Sequence, residues 1–137
     1  MSENNIILDA SAVLAFVNQE PGKERVESVL GKAYISTINV AEVITHLANQ
    51  GVTETEVEEV LEDLDLAIIP FDKRQSIVTG LLRPATKKFG LSLGDWTPSM
   101  LRKRACLNLA MIKQLPVLTA DRIWLELNLQ IDIQTIS

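Results

Sequence analysis

The chain has 137 residues, 47% of them hydrophobic but only six aromatic, with a net charge of −5; this fits one domain, residues 1–137, whose core is aliphatic, and excludes a charge-rich disordered chain. A single cysteine, Cys106, and a single histidine, His46, exclude an intramolecular disulfide and a zinc site of several Cys and His ligands. The first residues lack a basic signal-like region, and the apolar run Ile6 to Val17 is short and broken by Asp9, so a cytoplasmic protein with no membrane role is expected.

Asn5 to Asp9 reads as a buried strand ending in a carboxylate, followed by a helix from Ala10 to Gln19 that stops near Pro21-Gly22. Lys23 to Leu30 reads as a second helix, closed by Gly31. Ala33 to Ser36 is a second strand, and Ser36 or Thr37 can cap a helix running to Asn49. In that helix Ile38, Ala41, Ile44, Leu47 and Ala48 are the expected buried stripe, with Asn39, Glu42, Thr45, His46 and Asn49 as a polar one. Thr53 with Glu56 forms a capping-box pattern for a helix to about Asp63, whose acids fall between Val57, Val60, Leu61 and Leu64 as a solvated face. Leu66 to Pro70 is a third strand, and Asp72 caps a helix to about Leu82, interrupted at Pro84. Gly90 to Gly94 reads as a loop. Thr97-Pro98 starts a helix reaching about Gln114. Pro116 to Thr119 is a fourth strand, and Ile131 to Ile136 an edge strand. Strands alternating with helices predict an α/β fold of three layers, α/β/α, around a mostly parallel sheet.

The charge is unevenly spread. Residues 1–72 hold 3 Lys/Arg and 14 Asp/Glu, whereas residues 73–122 hold 10 Lys/Arg and 2 Asp/Glu. A basic block of net +8 can follow a phosphate backbone, or can simply be solvated helix faces. Arg102, Lys103, Arg104 and Arg122 belong to it and are the candidate substrate-binding residues.

Four acids stand out by position. Asp9 follows the first strand and Asp121 the fourth, at the sheet edge where ligands of parallel α/β folds bind, although capping the next element is the alternative duty of each. Glu42 lies on the polar helix stripe, which is equally the place of a solvent-facing acid, and Asp95 is either a turn acid or a fourth member. Carboxylates brought together repel one another and call for a cation, and oxygen-only donors suit Mg²⁺ or Mn²⁺.

The motifs that carry these acids resemble the PIN domain. Ile7-Leu8-Asp9-Ala10-Ser11-Ala12-Val13 is similar to its opening motif, and Ile35-Ser36-Thr37 with Glu42-Val43 to its second. Leu91-Ser92-Leu93-Gly94-Asp95 is similar to the third, and Pro116 to Trp124 to the fourth. The chain is similar in particular to VapC-type toxins of bacterial type II toxin–antitoxin systems. The resemblance implies a Mg²⁺- or Mn²⁺-dependent endoribonuclease leaving 5′-phosphate and 3′-hydroxyl ends, homodimers, and inhibition by a cognate VapB-like antitoxin. It makes Asp9, Glu42, Asp95 and Asp121 the catalytic, metal-holding acids, with Ser11 and Thr119 in support.

One segment departs from the family pattern. There the helix starts almost directly after the third acid, in a sequence similar to Arg104-Ala105-Cys106-Leu107; here Trp96 to Lys103 intervene. Those eight residues lengthen the helix by about two turns and place Asp95 on a preceding loop. The departure keeps open a catalytically impaired PIN-like module that binds RNA or an antitoxin. An Asp-dependent phosphatase is a third reading, but Ser11 stands where such enzymes want a second Asp.

Overall fold

The computed structural model describes residues 5–81, 98–127 and 130–137. The expected interruption at Pro84, the loop 90–94, Asp95 and Thr97 lie outside the described residues. Five short strands, β1 (Ile6–Leu8), β2 (Ala33–Ser36), β3 (Ala67–Ile69), β4 (Val117–Thr119) and β5 (Ile133–Thr135), form one sheet in the order β3-β2-β1-β4-β5. Every adjacent pair is parallel. Among the described residues the helices are α1 (Ala10–Val17), α2 (Lys23–Glu27), α3 (Thr37–Asn49), α4 (Glu54–Leu64), α5 (Lys73–Leu81) and α6 (Pro98–Lys113), followed by a 3₁₀ helix at Arg122–Glu126.

Successive residues of a strand point to opposite faces, and this builds the layers. Ile6 and Leu8 of β1 and Leu118 of β4 pack with Val13, Val26, Val43, Leu47, Val57 and Leu64 of α1 to α4. Ile7 and Val117 point the other way, into a second core with Leu107 and Leu109 of α6 and with Trp124. Both sheet faces are therefore covered, which explains why the inner strands read as continuous apolar runs instead of alternating ones.

The sheet order fixes where a site can form. The chain steps from β1 to β2 to β3 on one side, then returns to place β4 on the other side of β1. At that reversal the loops leaving the carboxyl ends of β1 and β4 diverge and open a crevice. Asp9 and Asp121 follow those two strand ends. The second strand passes into α3 without a loop, because Ser36 ends β2 and its Oγ accepts the amide of Ile38 at 3.2 Å as the helix cap.

Several boundaries differ from expectation for identifiable reasons. Helix α1 stops at Val17, with Asn18 at the cap, because Gln19 turns left-handed at a φ of 57° and the amides of Gln19 and Glu20 fold back onto the carbonyls of Phe16 and Ala15. Past Glu27, i→i+3 bonds such as Val29 N to Val26 O carry the chain to Gly31, so the last expected turn of α2 is not α-helical. The buried stripe of α3 is Asn39, Val40, Val43 and Leu47; Ala41 and Ala48 are exposed. An alanine methyl offers little apolar area to bury, so the larger valines set the rotation of the helix. The 3₁₀ helix after Asp121 was not anticipated. Among the described residues no helix is long and apolar enough to cross a membrane.

Candidate active site

Asp9 stands at the first position past β1, and its amide donates to the carbonyl of Leu118 in β4 at 3.1 Å. It occupies the cap position of α1 but makes no side-chain capping bond. Its Oδ2 instead accepts the hydroxyls of Ser11 at 2.5 Å and Thr119 at 2.9 Å. Each hydroxyl has one proton to give. With both given to Asp9, the 3.2 Å approach of Ser11 Oγ to Thr119 Oγ1 is a packing contact. The hydroxyl oxygens then accept from the backbone beyond β4: Ala120 N donates to Ser11 Oγ and Asp121 N to Thr119 Oγ1, each at 3.0 Å. Ser11 and Thr119 thus tie the first acid to the backbone that carries the last. Burial pushes the Asp9 carboxyl above its ordinary range, and the two hydroxyls and nearby amides oppose that shift.

Glu42 projects from α3, half-buried, with its Oε2 3.3 Å from Arg102 Nε. Burial raises its carboxyl above the ordinary range and the charge of Asp9 raises it further, against the pull of Arg102 and a hydrogen bond from Asn39. Asn39 lies one helical turn before Glu42, is fully buried, and donates from Nδ2 to the carbonyl of Arg102 at 3.0 Å. It joins α3 to α6 beside the acids. In the sequence it passes for one more member of a polar stripe, and only its burial reveals this role.

Asp121 divides its two oxygens. Oδ1 accepts the amide of Ile123 at 3.2 Å and caps the 3₁₀ helix, while Oδ2 is 3.2 Å from Lys103 Nζ. The capping duty and the site position are therefore met by the same side chain. The buried thiol of Cys106 lies behind the acids, its Sγ 3.9 Å from the carbonyl of Leu8. Burial, with the charges of Asp9 and Glu42, pushes that thiol well above its ordinary value, so it stays protonated and unreactive.

Asp9, Ser11, Thr119 and Asp121 form one hydrogen-bonded group, and Glu42 faces Asp9 closely enough to feel its charge. Arg102 and Lys103 reach Glu42 and Asp121. Arg104 is buried in α6, and Arg122 donates from Nη1 to the carbonyl of Ser137 at 3.0 Å. Asp95 lies outside the described residues. Beside Glu42 and Arg102 a groove of about 220 Å³ continues along Leu14, Thr45, His46 and Asn49.

The donor chemistry of Asp9, Glu42 and Asp121 fits a hard divalent cation, being all oxygen and lying at a sheet edge. As the side chains stand, no three acidic, His or Cys groups among the described residues come close enough together to enclose an ion. Two side-chain cations stand at the acids instead.

Comparison with known proteins gives a family and a shared fold. The PIN domain family model matches residues 6–128. Three solved structures share the fold over nearly the whole chain. The DNA-bound VapBC complex from Salmonella typhimurium aligns with a TM-score of 0.70 at 20% identity, covering 97% of this chain and 98% of that one. VapBC2 from Rickettsia felis, bound to a promoter DNA fragment, gives 0.67 at 16% identity over 96% and 98%. VapBC-5 from Mycobacterium tuberculosis gives 0.62 at 18% identity over 96% and 97%. A search of curated protein sequences finds no match.

Proposed function

Since the chain belongs to the PIN domain family, whose members are generally nucleases, we propose that it is a Mg²⁺- or Mn²⁺-dependent endoribonuclease and the toxin of a toxin–antitoxin pair. The observation that carries this reading is the group at the carboxyl ends of β1 and β4, where Asp9, held by Ser11 and Thr119, is tied to Asp121 and faced by Glu42. Asp9, Glu42 and Asp121 hold the ion, with Asp95 as the fourth acid. A bound ion supplies charge neutralisation at the scissile phosphate and lowers the pKa of water. Ser11 and Thr119 keep Asp9 Oδ2 fixed and so hold the carboxylate in one orientation. Asn39 holds α3 against α6 and sets the direction of Glu42. Arg102, Lys103 and Arg122 meet the RNA backbone, with Arg104 supporting α6 behind them. The groove beside Glu42 gives an RNA strand a path along α3.

The partner in this reading is a VapB-like antitoxin, supported by the VapBC complexes among the structural neighbours, and the toxin is a cytoplasmic homodimer. The test is incubation of the purified, partner-free chain with mixed RNA in Mg²⁺ and in Mn²⁺. Cleavage is expected, abolished by EDTA and reduced at least about a hundredfold in Asp9→Asn. Equal cleavage by Asp9→Asn would remove the assignment. The ion pairs at Glu42 and Asp121 favour a second reading, a module that binds RNA or an antitoxin without cutting. Retained RNA binding with no cleavage in either metal would establish it.

A further inference from the structure

Arg102 and Lys103 are consecutive residues of α6, yet they reach acids on two different elements. Arg102 Nε is 3.3 Å from Glu42 on α3, and Lys103 Nζ is 3.2 Å from Asp121 beyond β4. Neighbouring residues on a helix point about 100° apart, so one pair of positions covers two walls of the crevice. Their backbone is pinned there, because Asn39 Nδ2 holds the carbonyl of Arg102 at 3.0 Å. Two positive charges thus stand among three carboxylates, in a segment where eight residues separate Asp95 from Arg104.

We propose that Arg102 and Lys103 are built-in counter-cations that occupy the acids Glu42 and Asp121 and compete with the divalent ion for them, making metal loading a regulated step of this PIN domain. The inference rests on the reading of these acids as the metal site. Both ion pairs are about one-third exposed, with side-chain exposures of 31% and 31% for Arg102–Glu42 and 28% and 33% for Lys103–Asp121. Pairs so open to water are exchangeable, since solvent and salt screen them. The long side chains can turn outward while the pinned backbone stays in place, and an RNA phosphate is the natural anion to receive them. Substrate and metal then favour each other: RNA draws the two cations away, and the vacated carboxylates take up the ion.

The decisive experiment measures Mn²⁺ binding by calorimetry on the full chain, without RNA. The proteins are the parent, Arg102→Gln, Lys103→Gln, the double variant, and Lys113→Gln as a cation on the same helix far from the acids. Circular dichroism verifies folding, and the single Gln variants serve if the double does not fold. Each single variant is expected to tighten Mn²⁺ binding by about tenfold and Lys113→Gln to leave it near the parent value. Unchanged or weaker binding in the folded variants would overturn the inference, as would an equal gain in Lys113→Gln, which would reveal only a general charge effect. RNA cleavage is assayed separately. Tighter Mn²⁺ binding with no cleavage would refute the ribonuclease reading and leave the counter-cation role standing.

Discussion

Asp9 is held in an environment that disfavours its charge. Its native carboxyl lies above the ordinary value because of burial, and Glu42 is raised by burial and by Asp9. A raised native pKa means that the folded state holds its proton more tightly than the unfolded chain. The associated stability is fully present below the ordinary carboxylate pKa and is lost as pH rises through the raised native value. At about pH 7 burial of this carboxyl therefore works against the fold of the metal-free protein. Asp9→Asn in EDTA is expected to melt higher than the parent at about pH 7, with the advantage shrinking toward pH 4. Thermal melts across that range check it. A variant that melts lower by the same amount at every pH would mean that the hydroxyl bonds outweigh burial. Such stored instability is common where a protein awaits a ligand, and added Mn²⁺ is expected to raise the melting temperature of the parent but not of Asp9→Asn.

At the scale of elements, the caps and turns that the sequence announced are built as chemistry requires. Thr53 Oγ1 accepts the Glu56 amide and the Glu56 side chain accepts the Thr53 amide, a reciprocal box at the start of α4. Thr53→Ala is expected to lower stability by about 1 kcal/mol, measured by urea unfolding, with metal affinity unchanged because α4 lies away from the acids. Gly22 is a stricter case. Its φ of +95° is left-handed, and an added Cβ would come within 2.9 Å of the carbonyl oxygen and side chain of Ile136. Gly22→Ala is expected to cost about 1–3 kcal/mol, because both the backbone and the chain end beyond β5 must shift. A loss no larger than that of a surface alanine would show that the Ile136 segment yields freely. The helix α3 illustrates the limit of periodicity: its apolar residues are spaced for burial on more than one side, and packing against α1 and α6 selected the valine face.

At the scale of the molecule, the parallel sheet and its two cores position the acids. Trp124, on the 3₁₀ helix directly after Asp121, is fully buried with Ile7, Leu109 and Val117. It anchors the turn that carries Asp121 to the core under β1. Trp124→Ala is expected to cost about 3–5 kcal/mol, a large share of the stability of a domain of this size, and to loosen Asp121 with it. Denaturant unfolding gives the first quantity, and weaker Mn²⁺ binding in the folded fraction gives the second. A loss below about 1 kcal/mol would mean that the second core closes without the indole.

The sequence by itself determined the alternation of strands and helices, the caps at Thr53 and Asp72, a cap at Ser36 or Thr37 that the structure places at Ser36, and the position of Asp9 and Asp121 at strand ends, because hydrophobic period and capping are local properties. Its family motifs also named Ser11 and Thr119, whose bonds to a single oxygen of Asp9 appear only once β1 and β4 are paired. Sheet order, the rotation of α3, the burial of Asn39 and the two cations facing Glu42 and Asp121 were decided by the tertiary structure. Each joins residues far apart in the chain, so its energy depends on long-range packing and on charges meeting across elements, which no local spacing encodes.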